Sequence, residues 1–184
     1  MTDTSSYETV EILSEEELSR TISRLASQVV EIAPDSNSLL LLGIPTRGVH
    51  LSKVLAKELQ EITGHSIDQG TLDPTFHRDD LERIGTRMVQ PTDLPAMVEG
   101  RLVVLVDDVI FTGRTIRASL EALQAWGRPR KVMLLVMVDR GHRELPIQPD
   151  FCGRKVPTSK SELIELRLKD VDGEEGIFLL KTKE

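Results

Sequence analysis

The sequence predicts an α/β protein built on a central, mostly parallel sheet flanked by helices. Residues 39–44, 102–106 and 131–138 are apolar runs of strand length without polar alternation, the pattern of strands covered on both faces. Segments with apolar residues at helical spacing lie between them, and a repeated strand–helix–strand order makes neighbouring strands parallel. At 184 residues the chain suits one domain with a sizeable core.

Residues 8–13 alternate as a short strand. Ser14, with Glu17 three residues on, makes a capping box, so a helix starts there. Leu18, Ile22, Leu25, Val29 and Ile32 form its apolar stripe, and Pro34 ends it. The strand at 39–44 leads into a helix over 48–62, with Val49, Val54, Leu55, Leu59 and Ile62 at helical spacing. Between about 71 and 100 periodicity lapses around Pro74, Pro91 and Pro95, which reads as a strand end followed by a long excursion of the kind that forms functional lids. The next strand, 102–106, runs through a polar turn into a helix bearing Ile116, Leu120, Leu123 and Trp126 on one face. Gly127 and Pro129 stop that helix, and the strand at 131–138 follows. Residues 141–161 read as irregular, and 163–168 and 176–181 as two final strands. No repeat, low-complexity tract or domain boundary interrupts residues 1–184, so they read as a single domain.

Composition excludes several classes. The longest apolar run, 132–138, is far short of the roughly 20 residues of a membrane-spanning helix. The acidic N-terminus shows no secretory signal. One cysteine, Cys152, fits a reducing cytoplasm and a structural or surface thiol. His50, His65, His77 and His142 do not fall at metal-ligand spacing, so no protein-held metal site is expected. The net charge of −7 opposes indiscriminate polyanion binding, but it is unevenly distributed. Residues 1–113 hold 9 basic and 19 acidic side chains, residues 114–160 hold 10 and 4, and residues 161–184 hold 4 and 7.

Residues 103–115 carry the strongest chemical signal. A buried strand ends in Asp107 and Asp108, and after Val109, Ile110 and Phe111 the turn Thr112, Gly113, Arg114, Thr115 opens a helix. Amides and hydroxyls at a helix N-terminus cradle a phosphate. Paired carboxylates at a strand end accept hydrogen bonds from vicinal hydroxyls, or hold water of a hydrated Mg²⁺. Phosphate and diol together point to a sugar phosphate. Thr46, Arg47 and Gly48, between another buried strand and a helix, can face a second anion.

Residues 103–115 resemble the phosphoribosyl-pyrophosphate (PRPP) fingerprint of the type I phosphoribosyltransferases. Residues 43–48, 76–81, 138–146 and 156–162 narrow the resemblance to the PyrR family of pyrimidine-operon regulators and uracil phosphoribosyltransferases. The resemblance spans about 11–168 and implies the type I phosphoribosyltransferase fold, with a flexible loop near 72–100 and a small hood from about 139–168 plus the N-terminal strand. It implies conversion of uracil and PRPP to UMP and pyrophosphate, with Mg²⁺ bound mainly through PRPP or pyrophosphate. It assigns Asp107, Asp108 and Arg47 as catalytic. Thr46 and Arg47 meet pyrophosphate, Asp107 and Asp108 the ribose, and Thr112 to Thr115 the 5'-phosphate; Val109, Ile110 and Phe111 complete that segment. Arg78 and Arg87 are candidates for pyrophosphate in the flexible loop, with Arg87 favoured. Arg140 and the strand near Ile164 belong to the hood over uracil.

The family also binds the leader of pyr messenger RNA and attenuates transcription in response to the uridine nucleotides UMP and UTP. The basic stretch supplies an electrostatic footprint for this role, and Ser23, Arg24, His142, Arg143 and Arg154 fit the family's RNA face. Ser27 and Gln148 depart from it, standing where a histidine and an arginine are usual. A homo-oligomer, dimer or larger, is implied. Two other readings stay open: an RNA-binding nucleotide sensor without significant catalysis, and a phosphoribosyltransferase for another base.

Overall fold

A computed structural model of the chain describes residues 7–33, 35–79, 90–94 and 97–183. Five strands, β2 (Leu39–Gly43), β3 (Asp68–Thr71), β4 (Leu102–Ile110), β5 (Lys131–Asp139) and β6 (Phe151–Lys155), form a parallel sheet in the order β3-β2-β4-β5-β6. Three others, β1 (Tyr7–Leu13), β7 (Leu163–Arg167) and β8 (Gly176–Thr182), make a small antiparallel sheet in the order β1-β8-β7. The helices are α1 (Glu15–Ile32), α2 (Arg47–Thr63), α3 (Arg114–Gln124) and the short α4 (Lys169–Asp172).

Successive side chains of a strand point to opposite faces, so a sheet covered on both sides needs apolar residues at every position. Leu39 and Leu41 of β2, Val104 and Val106 of β4, and Leu135 and Met137 of β5 pack with Leu18, Leu25 and Val29 of α1 and Leu51, Leu55 and Leu59 of α2. The intervening Leu40, Leu42, Val103, Leu105, Leu134 and Val136 pack with Ile116, Ala122 and Leu123 of α3, and with Leu72 and Val98 from the excursion. Leu13, Leu166 and Ile177 attach the small sheet to the first of these clusters.

The capping box at Ser14 is present. The Glu17 amide donates to the Ser14 hydroxyl and the Ser14 amide to the Glu17 carboxylate, satisfying two otherwise unpaired helix-end donors and contributing about 1 kcal/mol.

The stripes expected on α2 and α3 are buried in part: Leu55 and Leu59 of α2 and Ile116 and Leu123 of α3 lie in the core, but the buried faces are turned toward small residues that the stripes left out. On α2, Val54 and Ile62 are exposed while Gly48, Leu51, Ser52 and Ala56 are buried. On α3, Leu120 is 37 % exposed, Trp126 lies beyond the helix end at 49 %, and Ala118, Ser119 and Ala122 are buried. Small residues let a helix approach the sheet closely, and a pattern read from hydrophobicity passes over them. On α1, Ile32 is likewise exposed, in the last turn.

Residues 141–161, expected to be irregular, contain β6. Its sequence, Phe151, Cys152, Gly153, Arg154, Lys155, hides it: as an edge strand it is half solvated, and Gly153 reflects close packing, since a Cβ there would lie 2.5 Å from the Met137 carbonyl oxygen. β6 thus belongs to the main sheet, whereas β1, β7 and β8 form the separate small one. The excursion after β3 has a tied neck. Thr71 and Asp93 exchange backbone hydrogen bonds, and the Asp73 carboxylate accepts from the amides of Thr75 and Gln90.

Candidate active site

The site is created by a mismatch in strand length. β2 pairs with β4 only as far as Gly43 opposite Val106, whereas β4 stays paired with β5 to Ile110 opposite Asp139. Asp107 and Asp108, read from the sequence as the end of the strand, therefore lie within β4, which runs on to Ile110, on a stretch that has lost its β2 neighbour. Asp107 is buried and Asp108 half-buried. Each carboxylate accepts from the next amide, Asp108 N–H at 3.0 Å and Val109 N–H at 2.9 Å, which fixes its orientation.

The turn beyond β4 opens α3 with Gly113 at φ +91°, a left-handed conformation that favours glycine. Asp107, Val109, Ile110, Phe111, Thr112, Gly113, Arg114 and Thr115 line a cavity of about 330 Å³ with Arg78, Ile116 and Glu144. The Arg114 side chain is held by Glu144 (2.7 Å) and Asp79 (2.8 Å), and Arg78 donates to the Thr115 hydroxyl.

A second cavity, about 280 Å³, lies between β4 and the start of α2 and is lined by Pro45, Thr46, Arg47, Asp107, Asp108, Val109 and Thr115. It shares Asp107, Val109 and Thr115 with the first. The Pro45–Thr46 peptide is cis. Gly48 brings α2 against β4, because a Cβ there would fall 2.4 Å from the Val106 carbonyl oxygen. Both cavities therefore open at a helix N-terminus, where unpaired amides and the macrodipole favour anions.

Arg47 is gripped by a partner the sequence did not disclose. Asp172, at the end of α4, pairs with it through two parallel hydrogen bonds of 2.5 and 3.0 Å and also accepts from the Leu168 amide at 2.9 Å. Burial alone would push the Asp172 carboxyl up, but the hydrogen bonds from Arg47 and Leu168 and the Arg47 charge outweigh it and hold the carboxyl below its ordinary value. The bonds to Asp172 likewise raise Arg47. A depressed folded-state value contributes stability that is fully present above the unfolded aspartate value of about 4 and is lost as pH falls through the folded one. On acidification below about pH 4, the wild-type protein is expected to lose more stability than Asp172→Asn in urea titrations at each pH. Parallel losses in the two proteins would refute the contribution of the pair.

A third cavity, about 370 Å³, is lined by Asp139, Arg140, Gly141, His142, Lys155, Pro157 and Thr158 at the ends of β5 and β6. Arg140 is buried and donates to Thr158, Ser159 and Glu162, with its guanidinium 4.3 Å from the centre of the Phe111 ring. Burial lowers its pKa, opposed by the Glu162 charge. His142 adopts φ +61° and meets Phe111 edge-on. Phe111 thus joins the end of β4 to this pocket. Ile164, on β7, packs partly buried against the core.

Of the remaining residues singled out from sequence, Arg87 lies outside the described residues. Arg143 pairs with Asp139 at 2.7 Å and donates to the carbonyls of Phe111 and Ile147, bracing the turn after β5. Arg24 and Arg154 lie around the contact of α1 with β6, where Arg24 donates to the Gly153 carbonyl and Arg154 to that of Ile12, whereas Ser23 turns to α2 and donates to the Glu58 carboxylate. Burial pushes the Cys152 thiol up, with the Asp139 charge adding to it, which disfavours a reactive thiolate. Among the described residues no His, Cys, Asp or Glu cluster is built to hold a metal ion, and no helix is long and apolar enough to cross a membrane.

The Phosphoribosyl transferase domain family matches residues 8–169. A protein of Thermosynechococcus vestitus named "Bifunctional protein PyrR" is 53% identical over 175 residues, covering 95% of this chain and 96% of that one. A protein of the same name from Microcystis aeruginosa is 51% identical over 172 residues, covering 94% and 97%. In fold, the chain is similar to the hypoxanthine phosphoribosyltransferase of Trypanosoma cruzi (TM-score 0.71, 16% identity, 95% and 97% covered) and to that of Staphylococcus aureus (TM-score 0.67, 17% identity, 95% and 92% covered).

Proposed function

The chain belongs to the phosphoribosyltransferase domain family and, within it, to the PyrR proteins, and on that footing we propose that it joins uracil to PRPP and also regulates pyrimidine gene expression. The observation that carries the transferase reading is the pair of anion-favouring cavities sharing Asp107, Val109 and Thr115, because PRPP is one molecule with a phosphate at each end of a ribose. Its 5'-phosphate fits the Thr112 to Thr115 turn, its ribose hydroxyls fit Asp107 and Asp108, and its pyrophosphate fits Thr46 and Arg47.

In the reaction, uracil N1 forms a bond to ribose C1 as the bond from C1 to the pyrophosphate oxygen breaks; the N1 proton passes to solvent and pyrophosphate leaves with the electron pair. Positive charge grows on the ribose and negative charge on the leaving group, so preorganised charges do most of the work. The carboxylates of Asp107 and Asp108 favour the first, and Arg47 with the α2 amides the second. Asp172 holds the Arg47 fork in one orientation. The carboxylates of Asp107 and Asp108 would hold the water of a substrate-bound Mg²⁺, which would supply charge neutralisation to the pyrophosphate. In this reading the segment after β3, whose described neck is tied at Asp73, closes over the site during the reaction and excludes water that hydrolyses PRPP.

Uracil fits the third cavity, where a neutral base meets Arg140 and backbone groups. In regulation, UMP or UTP at the same site alters binding of a pyr leader RNA, to which the face around Ser23, Arg24 and Arg154, with His142 and Arg143 beyond β5, contributes. The setting is cytoplasmic and the working form a homo-oligomer.

The test is formation of UMP from uracil and PRPP with Mg²⁺, run against other bases in competition. A folded sample that turns over none of them removes the transferase reading, and preference for a purine or orotate moves the base. For the second role, a pyr leader hairpin is titrated at two salt concentrations. Sequence-selective binding enhanced by UMP supports regulation; binding that simply vanishes with salt is the electrostatic term alone and counts against it.

A further inference from the structure

Resting on the 5'-phosphate reading of the turn before α3, we propose that Arg78, from the stem of the loop after β3, is a 5'-phosphate ligand and not a pyrophosphate ligand. A sugar phosphate in this turn needs a cation, and Arg114 is the obvious one from the sequence. The fold also ties it to two carboxylates. Arg114 Nε donates to Glu144 at 2.7 Å and a terminal nitrogen donates to Asp79 at 2.8 Å, so two carboxylates hold its charge.

Arg78 supplies a second cation to the same cavity. Its guanidinium reaches the Thr115 hydroxyl and lines the cavity with Thr112, Gly113 and Thr115. It is absent from the lining of the Thr46 and Arg47 cavity, to which the pyrophosphate is assigned.

The stem is latched in place to present it. Arg117 donates to the His77 carbonyl at 2.6 Å and approaches Asp79 at 3.9 Å, and His77 lies 3.6 Å from Glu121. Arg114 completes the latch through Asp79. The two arginines thus divide the work: Arg114 docks the stem, and the docked stem delivers Arg78. A planar guanidinium next to a threonine hydroxyl offers a phosphate two donor groups converging on neighbouring oxygens.

Uridine and UMP differ only by the 5'-phosphate, and neither carries pyrophosphate, so the ratio of their affinities isolates the contact. It is measured by calorimetry for UMP and by displacement for uridine. Wild-type protein is expected to prefer UMP, Arg78→Gln to lose roughly 10- to 100-fold of that preference as one charge-assisted contact is removed, and Arg78→Lys to recover part of it. Urea midpoints identify any variant that fails to fold, and the lysine variant then carries the comparison.

An unchanged ratio in folded Arg78→Gln overturns the proposal while leaving the turn as the phosphate site. Equal loss of uridine and UMP affinity overturns it also, by showing a structural role. Wild-type protein that binds UMP no better than uridine removes the phosphate reading of the turn itself.

Discussion

Asp108→Asn is expected to lower kcat/KM for UMP formation by roughly 10²-fold, with the urea midpoint close to wild type. A carboxylate accepting from ribose hydroxyls makes charge-assisted hydrogen bonds worth about 1.5–3 kcal/mol each, and a carboxamide of the same shape keeps one neutral acceptor and loses the charge that favours a cationic ribose. The fold should tolerate the change. Asp108 is half-buried, lines the cavity beside Thr46 and Arg47, and its local contact is the Val109 amide, which an Asn oxygen also accepts. Asp107 is a poorer probe because it is buried and lines both cavities, so its replacement mixes folding with catalysis. Steady-state kinetics beside a denaturation curve separate the two. Activity of Asp108→Asn within twofold of wild type would remove the ribose assignment.

The second large effect is expected from a residue with no side chain. Gly48→Ala places a Cβ 2.4 Å from the Val106 carbonyl oxygen and 3.2 Å from the Asp107 Cα. Both are backbone atoms of a central strand and cannot rotate away, so α2 must retreat from β4. Overpacking of this kind costs about 1–3 kcal/mol or more. The retreat also shifts Thr46 and Arg47 relative to Asp107 and Asp108, and misplacement by about 1 Å lowers rate on the order of 10²-fold. Gly48→Ala should therefore reduce both the urea midpoint and kcat/KM for PRPP. Gly64→Ala is the control. Gly64 caps α2 at φ +72° with open space for 4 Å around the point a Cβ would occupy, so the change costs about 1–2 kcal/mol of left-handed strain and leaves catalysis alone. A Gly48→Ala protein that matches Gly64→Ala in both measurements would show that close approach of α2 is not what sets the site.

Local patterns are most legible where the chemistry is stringent. The capping box at Ser14, the two-sided apolar strands and the segment from Val103 to Thr115 each impose a pattern within a few residues. They are least legible where a face is set by something distant. Leu120 and Trp126 have the spacing of a core stripe yet are exposed, whereas Ile116 and Leu123 of that stripe are buried together with the small residues Ala118, Ser119 and Ala122, which let the helix approach the sheet closely. β6 was hidden because an edge strand beside α1 tolerates a glycine and two cations.

The same division runs through the site. The α/β class, the phosphoribosyltransferase chemistry and most residues assigned to substrate are written in the order of the amino acids, since a phosphate turn and its acid pair are contiguous in the chain. How the charges are shared is settled by packing. Asp172 lies 125 residues from Arg47, Asp79 lies 35 residues and Glu144 30 residues from Arg114, and Arg78 lies 37 residues from Thr115. A charge acts through space and falls off with distance, so which carboxylate or hydroxyl stands beside each of these arginines depends on three-dimensional neighbours that no local pattern encodes.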